Sequence, residues 1–263
     1  MIINHLIHDI QALKVCSLTC YSWYIIVVPH IHHTLVLGGN NNDNLKPLSN
    51  RGALGLLPFV KEVRILRSPG HPGWFRPQLF KPWNSSHFSV LTNVQSLTIQ
   101  DLDISKFISK LHRYLGHFSS TLRSLTLETP RCTPQELYCF ISLFPNLDDL
   151  QLESSIRRDS GPRERAPIPY HVPRLRGQLT LSHFYLIETW RRLAASGSLQ
   201  FRSIRLRSVS SCALVLFSAC ADTLETLRIE PHGEVGKLFR GLHHWRGVLI
   251  TSRMVPSIPN RKL

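Results

Sequence analysis

Long apolar runs are missing from this sequence. The stretch Tyr24 to Val28 is hydrophobic but meets Pro29, far short of the ~20 residues a helix needs to cross a bilayer, so no membrane is expected as a partner. The first residues lack the basic start and continuous apolar segment of a secretory leader. Together these absences predict a soluble protein of the cytoplasm or nucleus. Acidic residues are few: 17 stand against 31 Lys and Arg, giving a net charge of +14 and a pI near 10.0. That balance favours phosphates, acidic lipids or acidic protein surfaces without choosing among them. The basic residues are spread over the whole length, with mild concentrations at 157 to 176 and after 236, instead of clustering among aromatics on one element. Solvated faces are therefore expected, and nucleic acid is not.

Cysteine is also sparse. Cys16, Cys20, Cys132, Cys139, Cys212 and Cys220 include no C-x-x-C pair and are too thin for a disulfide scaffold, which predicts reduced thiols. No Gly-rich phosphate loop, nucleophile elbow or metal-ligand helix motif occurs, so neither catalysis nor a cofactor is expected. His112, His117, His243 and His244 read as surface or satisfied core residues. What remains is 263 residues, 43% of them hydrophobic, enough to bury a large core.

That core has a period. An apolar residue, two others, an apolar residue, one other and an apolar residue recur as "VKEVRI" (60–65), "VQSLTI" (94–99), "LRSLTL" (122–127), "LDDLQL" (147–152), "FRSIRL" (201–206) and "LETLRI" (224–229), with a stretched "LRGQLTL" at 175–181. The final apolar residues are 34, 28, 25, 29, 25 and 23 positions apart. Within each copy the last two apolar positions alternate as in a strand. Between copies the period becomes helical: Ile104, Phe107, Ile108, Leu111, Leu115 and Phe118 form one stripe, predicting a helix over 105–118. "TPQE" opens another, with Thr133 as cap, Pro134 in the first turn, Glu136 closing a capping box, and Leu137, Phe140, Ile141 and Phe144 as its buried face. Helices are also predicted over 183–194 and 211–221.

Strand and helix alternating at this spacing imply parallel strands joined by crossovers, in units too small to stand alone. The six hexapeptides resemble a leucine-rich-repeat solenoid over residues 60–231. Where that family's regular form places Asn or Cys three residues after the motif, this chain has Leu102, Pro130, Ser155, Phe184, Val209 and His232, so irregular repeats with variable loops are expected. An ordinary doubly wound sheet is the alternative. "GGNNNDN" (38–44) and the Pro- and Gly-rich segment 67–86 read as loops, 154–169 as a polar insertion and 232–263 as a basic tail.

The uncharged stretch "VCSLTCYSWY" (15–24) raises the possibility of metal. Cys16 and Cys20 with His30, His32 and His33 miss the spacing of a two-cysteine, two-histidine zinc finger, and cysteines four apart on one helix do not bridge, so buried thiols are expected. Leu6, Ile10 and Leu13 form an apolar series, Asp9 is placed to cap a new turn, and Val15, Cys16, Leu18, Thr19, Cys20 and Trp23 follow at helical spacing until Pro29 ends the run. "DIQALKVCSLTCYSW" followed by "VVPHIHHTLVL" resembles the F-box in its fungal form, a helix L-x-x-C-S-L-V-C-x-S-W leading to a strand-like segment and a repeat domain. The resemblance implies a small helical module that docks on a Skp-family adaptor of a cullin-RING ubiquitin ligase while the repeats hold a protein target of unknown identity. By that resemblance Leu6, Ile10, Leu13, Val15, Cys16, Leu18, Cys20 and Trp23 are the adaptor-binding candidates. Only "MIINHLI" stands where the family's first helix ends, so its opening Leu-Pro turn is expected to be absent.

The predicted organisation is thus an F-box-like module (1–37), a linker with a first irregular repeat (38–90), a repeat domain (91–231) and the tail. On the strands, positions alternating with the buried leucines face outward. They nominate Thr98, Gln100, Thr126, Glu128, Gln151, Glu153, Thr180, Arg205, Arg207 and Arg228 as the target-binding face. Its charge runs from acidic (Glu128, Asp149, Glu153) to basic (Arg205, Arg207, Arg228), a polarity suited to orienting a partner. A repeat-based interaction scaffold without ligase association is the other function considered.

Overall fold

The computed structural model describes residues 3–6, 9–37, 55–66, 91–101, 104, 112–113, 115–153, 173–182, 187–207, 213–230 and 249–252. Among the described residues nine strands form one sheet: β1 (Thr34–Leu37), β2 (Glu62–Ile65), β3 (Ser96–Gln100), β4 (Ser124–Glu128), β5 (Asp149–Glu153), β6 (Gln178–Leu181), β7 (Ser203–Leu206), β8 (Thr226–Ile229) and β9 (Leu249–Ser252). Every neighbouring pair is parallel, and strand order equals chain order from β1 to β9. A doubly wound sheet reverses its order at a switch point; this one does not.

All seven copies of the apolar motif carry a strand, and their buried residues stay in register. Val63, Leu97, Leu125, Leu150, Leu179, Ile204 and Leu227 form one row and Ile65, Ile99, Leu127, Leu152, Leu181, Leu206 and Ile229 the next, each at most 4% exposed. Helices cover this side. α4 (Pro134–Ile141) buries Leu137, Phe140 and Ile141, α5 (Ile187–Ala195) buries Trp190 and Leu193, and α6 (Ala213–Ala219) buries Leu216 and Phe217. Phe140 meets Phe144 edge to face, with centroids 5.6 Å apart. The capping box is present: Thr133 Oγ1 accepts from the Glu136 N–H at 3.2 Å, and the Glu136 carboxylate accepts from the Thr133 N–H at 2.6 Å. Of the helix expected over 105–118, Phe107, Ile108 and Leu111 lie outside the described residues. Ile104, Leu115 and Phe118 are buried, the last in a 3-10 turn, Gly116–Phe118.

A repeated hydrogen-bond device stitches the strands at their starts. Two consecutive N–H groups donate to one carbonyl of the preceding unit: Gln95 and Ser96 to Lys61, Arg123 and Ser124 to Gln95, Asp148 and Asp149 to Arg123, Glu225 and Thr226 to Arg202. The stretched copy breaks the pattern. Its additional residue leaves Gly177 donating to the Asp148 carbonyl at 3.1 Å, while the Gln178 N–H turns to the Asp149 carboxylate at 2.6 Å. A β-carbon at Gly177 would overlap Asp149 Oδ1, so a larger residue there displaces the carboxylate that accepts from Gln178. Polar residues just before the motif also bind backward: Asn93 donates to the Pro58 carbonyl and Asn146 to that of Ser120, both at 2.8 Å, and Thr223 to that of Phe201 at 3.3 Å. They satisfy turn backbone carbonyls of the preceding unit.

The sheet extends by one strand at each end beyond the seven motif strands. β1 sits in the segment assigned to the N-terminal module yet pairs with β2 throughout. β9 lies in the segment read as a tail and pairs with β8 throughout. "GVLITS" carries three adjacent aliphatics where the motif needs alternation, so periodicity did not mark it.

Among the described residues three helices precede the sheet: α1 (Ile3–Leu6), α2 (Ile10–Ser17) and α3 (Tyr21–Ile31). Asp9 caps α2 by accepting from the Ala12 N–H at 2.9 Å. The expected continuous run breaks at Leu18–Cys20, where the Ser17 and Thr19 hydroxyls donate to the Lys14 and Cys16 carbonyls and close α2. Nor does Pro29 end α3. Its missing N–H removes one intrahelical bond, and the helix continues to Ile31 with His32 donating to the Val28 carbonyl at 3.0 Å. Leu13 and Val27 are fully buried against Leu6, Cys16, Trp23 and Ile31, a small core separate from that of the sheet.

Candidate interaction surfaces

Two surfaces stand out. On α2 and α3 the apolar residues divide between a small interior and a large exterior. Leu13 is fully buried, and Leu6, Cys16 and Trp23 are half-buried around it. Outside are Ile10 (51% exposed), Val15 (65%), Leu18 (86%), Tyr21 (75%), Tyr24, Ile25 and Ile26. Nine large hydrophobics are exposed among the described residues, and these are seven of them. The adaptor-binding candidates thus separate. Ile10, Val15, Leu18 and Cys20 are available to a partner, whereas Leu13 is corrected to a core residue because α3 packs across it. Cys20 is exposed, not the buried thiol expected, since it sits in extended backbone at the N-cap of α3. Tyr21, Tyr24, Ile25 and Ile26 were missed; their contiguous spacing reads as a buried helix, and only packing shows them uncovered. The His32 imidazole is pushed below its ordinary value by burial and by nearby Lys14. No cluster of three metal-ligating side chains occurs among the described residues.

The second surface is the sheet face opposite the helices. Thr98, Thr126, Gln151, Thr180, Arg205 and Arg228 form one row across β3 to β8, with Arg64 extending it on β2. Gln100, Glu128 and Glu153 lie at the C-terminal ends of their strands, with Arg207 just beyond β7. Thr180 is 6% exposed and is corrected from surface to interior. Its short side chain stands between Gln151 and Arg205 in register, with Gln178 donating to its hydroxyl at 3.3 Å. The other nine candidates are half-buried, because long neighbours on adjacent strands lean on one another.

These side chains bond internally. Gln100 donates to Glu128 at 2.6 Å and Gln151 to Glu153 at 2.7 Å. Arg207 reaches Glu153 across β6 at 3.4 Å, so the expected acidic-to-basic polarity is partly closed within the face. Glu230, just after β8, accepts from Arg205 at 2.7 Å and forms an ion pair with Arg228 at 2.9 Å. The Arg205 hydrogen bond, with the charges of Arg228 and Arg207 beside it, holds the Glu230 carboxyl below the usual carboxylate range. On β2, Glu62 accepts from Arg64 at 2.6 Å and Thr34 at 2.8 Å; these bonds outweigh its burial and lower its pKa too. A shallow groove of about 510 Å³ between α5 and α6, lined by Ala194, Leu214, Val215, Ser218 and Ala219, contains no titratable side chain.

No protein-family model matches the chain, and no curated protein matches it in sequence. No helix described here is long and apolar enough to cross a membrane.

Proposed function

We propose that the protein is a non-enzymatic substrate-recognition subunit of a cullin-RING ubiquitin ligase, an F-box protein whose degenerate leucine-rich repeats form a solenoid. In this reading α2 and α3 dock on a Skp-family adaptor, and the open sheet face holds a target protein in the cytoplasm or nucleus. The observation that carries it is the concentration of exposed hydrophobics on α2 and α3, around a helical unit with its own small core. Exposed apolar side chains concentrated in one short helical unit mark a site of association, and apolar helices suit a groove on a partner. The all-parallel sheet in chain order supplies the second half of the argument. Stacked units leave one row of strand positions free of helices, where a target can lie.

The test is reconstitution of the full chain with a purified Skp-family adaptor, followed by size-exclusion chromatography and calorimetry. A stoichiometric complex lost on Leu18→Asp is expected. Absence of a complex with the folded protein overturns the ligase role and leaves the repeat scaffold without ligase association.

A further inference from the structure

The arginines of β7 and β8 outnumber the carboxylates that face them. Arg205 and Arg228 are cross-strand partners, and both point a nitrogen at the same oxygen, Glu230 Oε1, at 2.7 and 2.9 Å. Arg207 adds a third guanidinium close enough to depress the same carboxyl. Its own acceptors are Glu153, two strands away at 3.4 Å, and the Ser182 hydroxyl at 3.5 Å. The Nε of Arg205 is shielded and has no hydrogen-bond partner, so Glu230 leaves that guanidinium incompletely satisfied. Between 32% and 41% of each arginine side chain is exposed. Two carboxylates thus serve three guanidiniums, with Glu230 shared by two of them, and the planar donors of a guanidinium match carboxylates two at a time.

We propose that the open face of β7 and β8 is a docking surface for an acidic peptide segment of the target protein. Its carboxylates pair with Arg205 and Arg228 in place of Glu230, and with Arg207 in place of Glu153. This deepens the target-binding half of the proposed function and rests on it, and charge complementarity commits it to an acidic occupant. Glu230 acts as an internal competitor: it keeps the arginines ordered when the face is empty and weakens whatever replaces it.

The experiment is fluorescence anisotropy of the full chain, without adaptor, using a labelled Glu-rich peptide and its Gln-rich counterpart. The Glu peptide is expected to bind and the Gln peptide not. Arg205→Gln with Arg228→Gln weakens binding at least tenfold, a loss on the scale of charge-assisted hydrogen bonds. Glu230→Gln tightens it about threefold, as removal of one surface ion-pair competitor allows. Because the last change strengthens binding, it stays informative even if the double variant unfolds. Glu225→Gln adds the same unit of charge beside Arg202, before β8, where both side chains are 70% exposed; it is expected to change nothing. Equal tightening by Glu225→Gln reduces the effect to net charge and overturns the site. So does equal binding of the Gln peptide, weaker binding by Glu230→Gln, or tighter binding of a single-stranded oligonucleotide through the same arginines. With no adaptor in the assay, failure of the ligase role leaves these outcomes unchanged.

Discussion

Removing the same three carbons from two leucines five positions apart should have opposite consequences. Leu13 is fully buried between α2 and α3, whereas Leu18 is 86% exposed. Leu13→Ala deletes about three methyl-sized groups at ~0.8 kcal/mol each and leaves a cavity, so the helical unit should lose about 2–5 kcal/mol. For Leu18→Ala folding hides only a small part of the side chain, and the expected change is within about 0.5 kcal/mol. Association reverses the order. If a partner covers Leu18, its loss costs about 2 kcal/mol of binding, roughly thirtyfold in Kd. Because the helical unit and the sheet have separate cores, hydrogen exchange is the suitable assay. It reads amides of α2 and α3 apart from those of β2 to β8, and calorimetry with the adaptor supplies the binding limb. Loss of more than 1 kcal/mol of stability in Leu18→Ala would mean that the chain itself covers this residue. Unchanged adaptor affinity in a stably folded Leu18→Ala would remove α2 from the docking surface.

Four further outcomes are expected. Thr133→Ala removes one arm of the α4 capping box and should lower stability by about 1 kcal/mol in urea titration, with Thr133→Ser largely neutral. Gly177→Ala forces the Asp149 carboxylate away from the Gln178 N–H and should destabilise by about 1–3 kcal/mol, less in combination with Asp149→Ala. Mass-resolved alkylation should label exposed Cys20 well before Cys132, Cys139 and Cys220, because burial pushes the Cys220 thiol up to about 11 and raises that of Cys139. Since the Glu230 pKa is lowered by folding, its ion pairs contribute stability that is present above the ordinary glutamate value of 4.5 and lost as pH falls through its depressed value. The stability difference between the native chain and Glu230→Gln should accordingly shrink on acidification below that value.

Much of the sheet was legible because strand alternation with a repeated spacing is a local signal. Leu125 and Leu127 announce β4 without reference to any other residue, and Thr133 and Glu136 announce the start of α4. The candidate sites were legible only in part. The outward row on β3 to β8 follows from the two-residue period, so Thr98, Gln151 and Arg205 were placed in it correctly. Burial of Thr180 depends on the lengths of Gln151 and Arg205, which register brings alongside it from other repeats. The sharing of Glu230 by Arg205 and Arg228 likewise joins residues of different strands. On α2 and α3, hydrophobic spacing identified helices but not which residues they cover.

The amino-acid order by itself determined that short strands recur, that each buries two apolar residues, and where α2 and α4 begin, since all of these act over a few neighbouring residues. Tertiary structure decided that β1 and β9 join the same sheet, that Pro29 lies within α3, that Tyr21 and Leu18 stay exposed, and that the face arginines converge on Glu230. The physical reason is range. Backbone alternation and capping are set within a turn or a strand, whereas burial and ion pairing depend on which distant segments the stacking of units brings into contact.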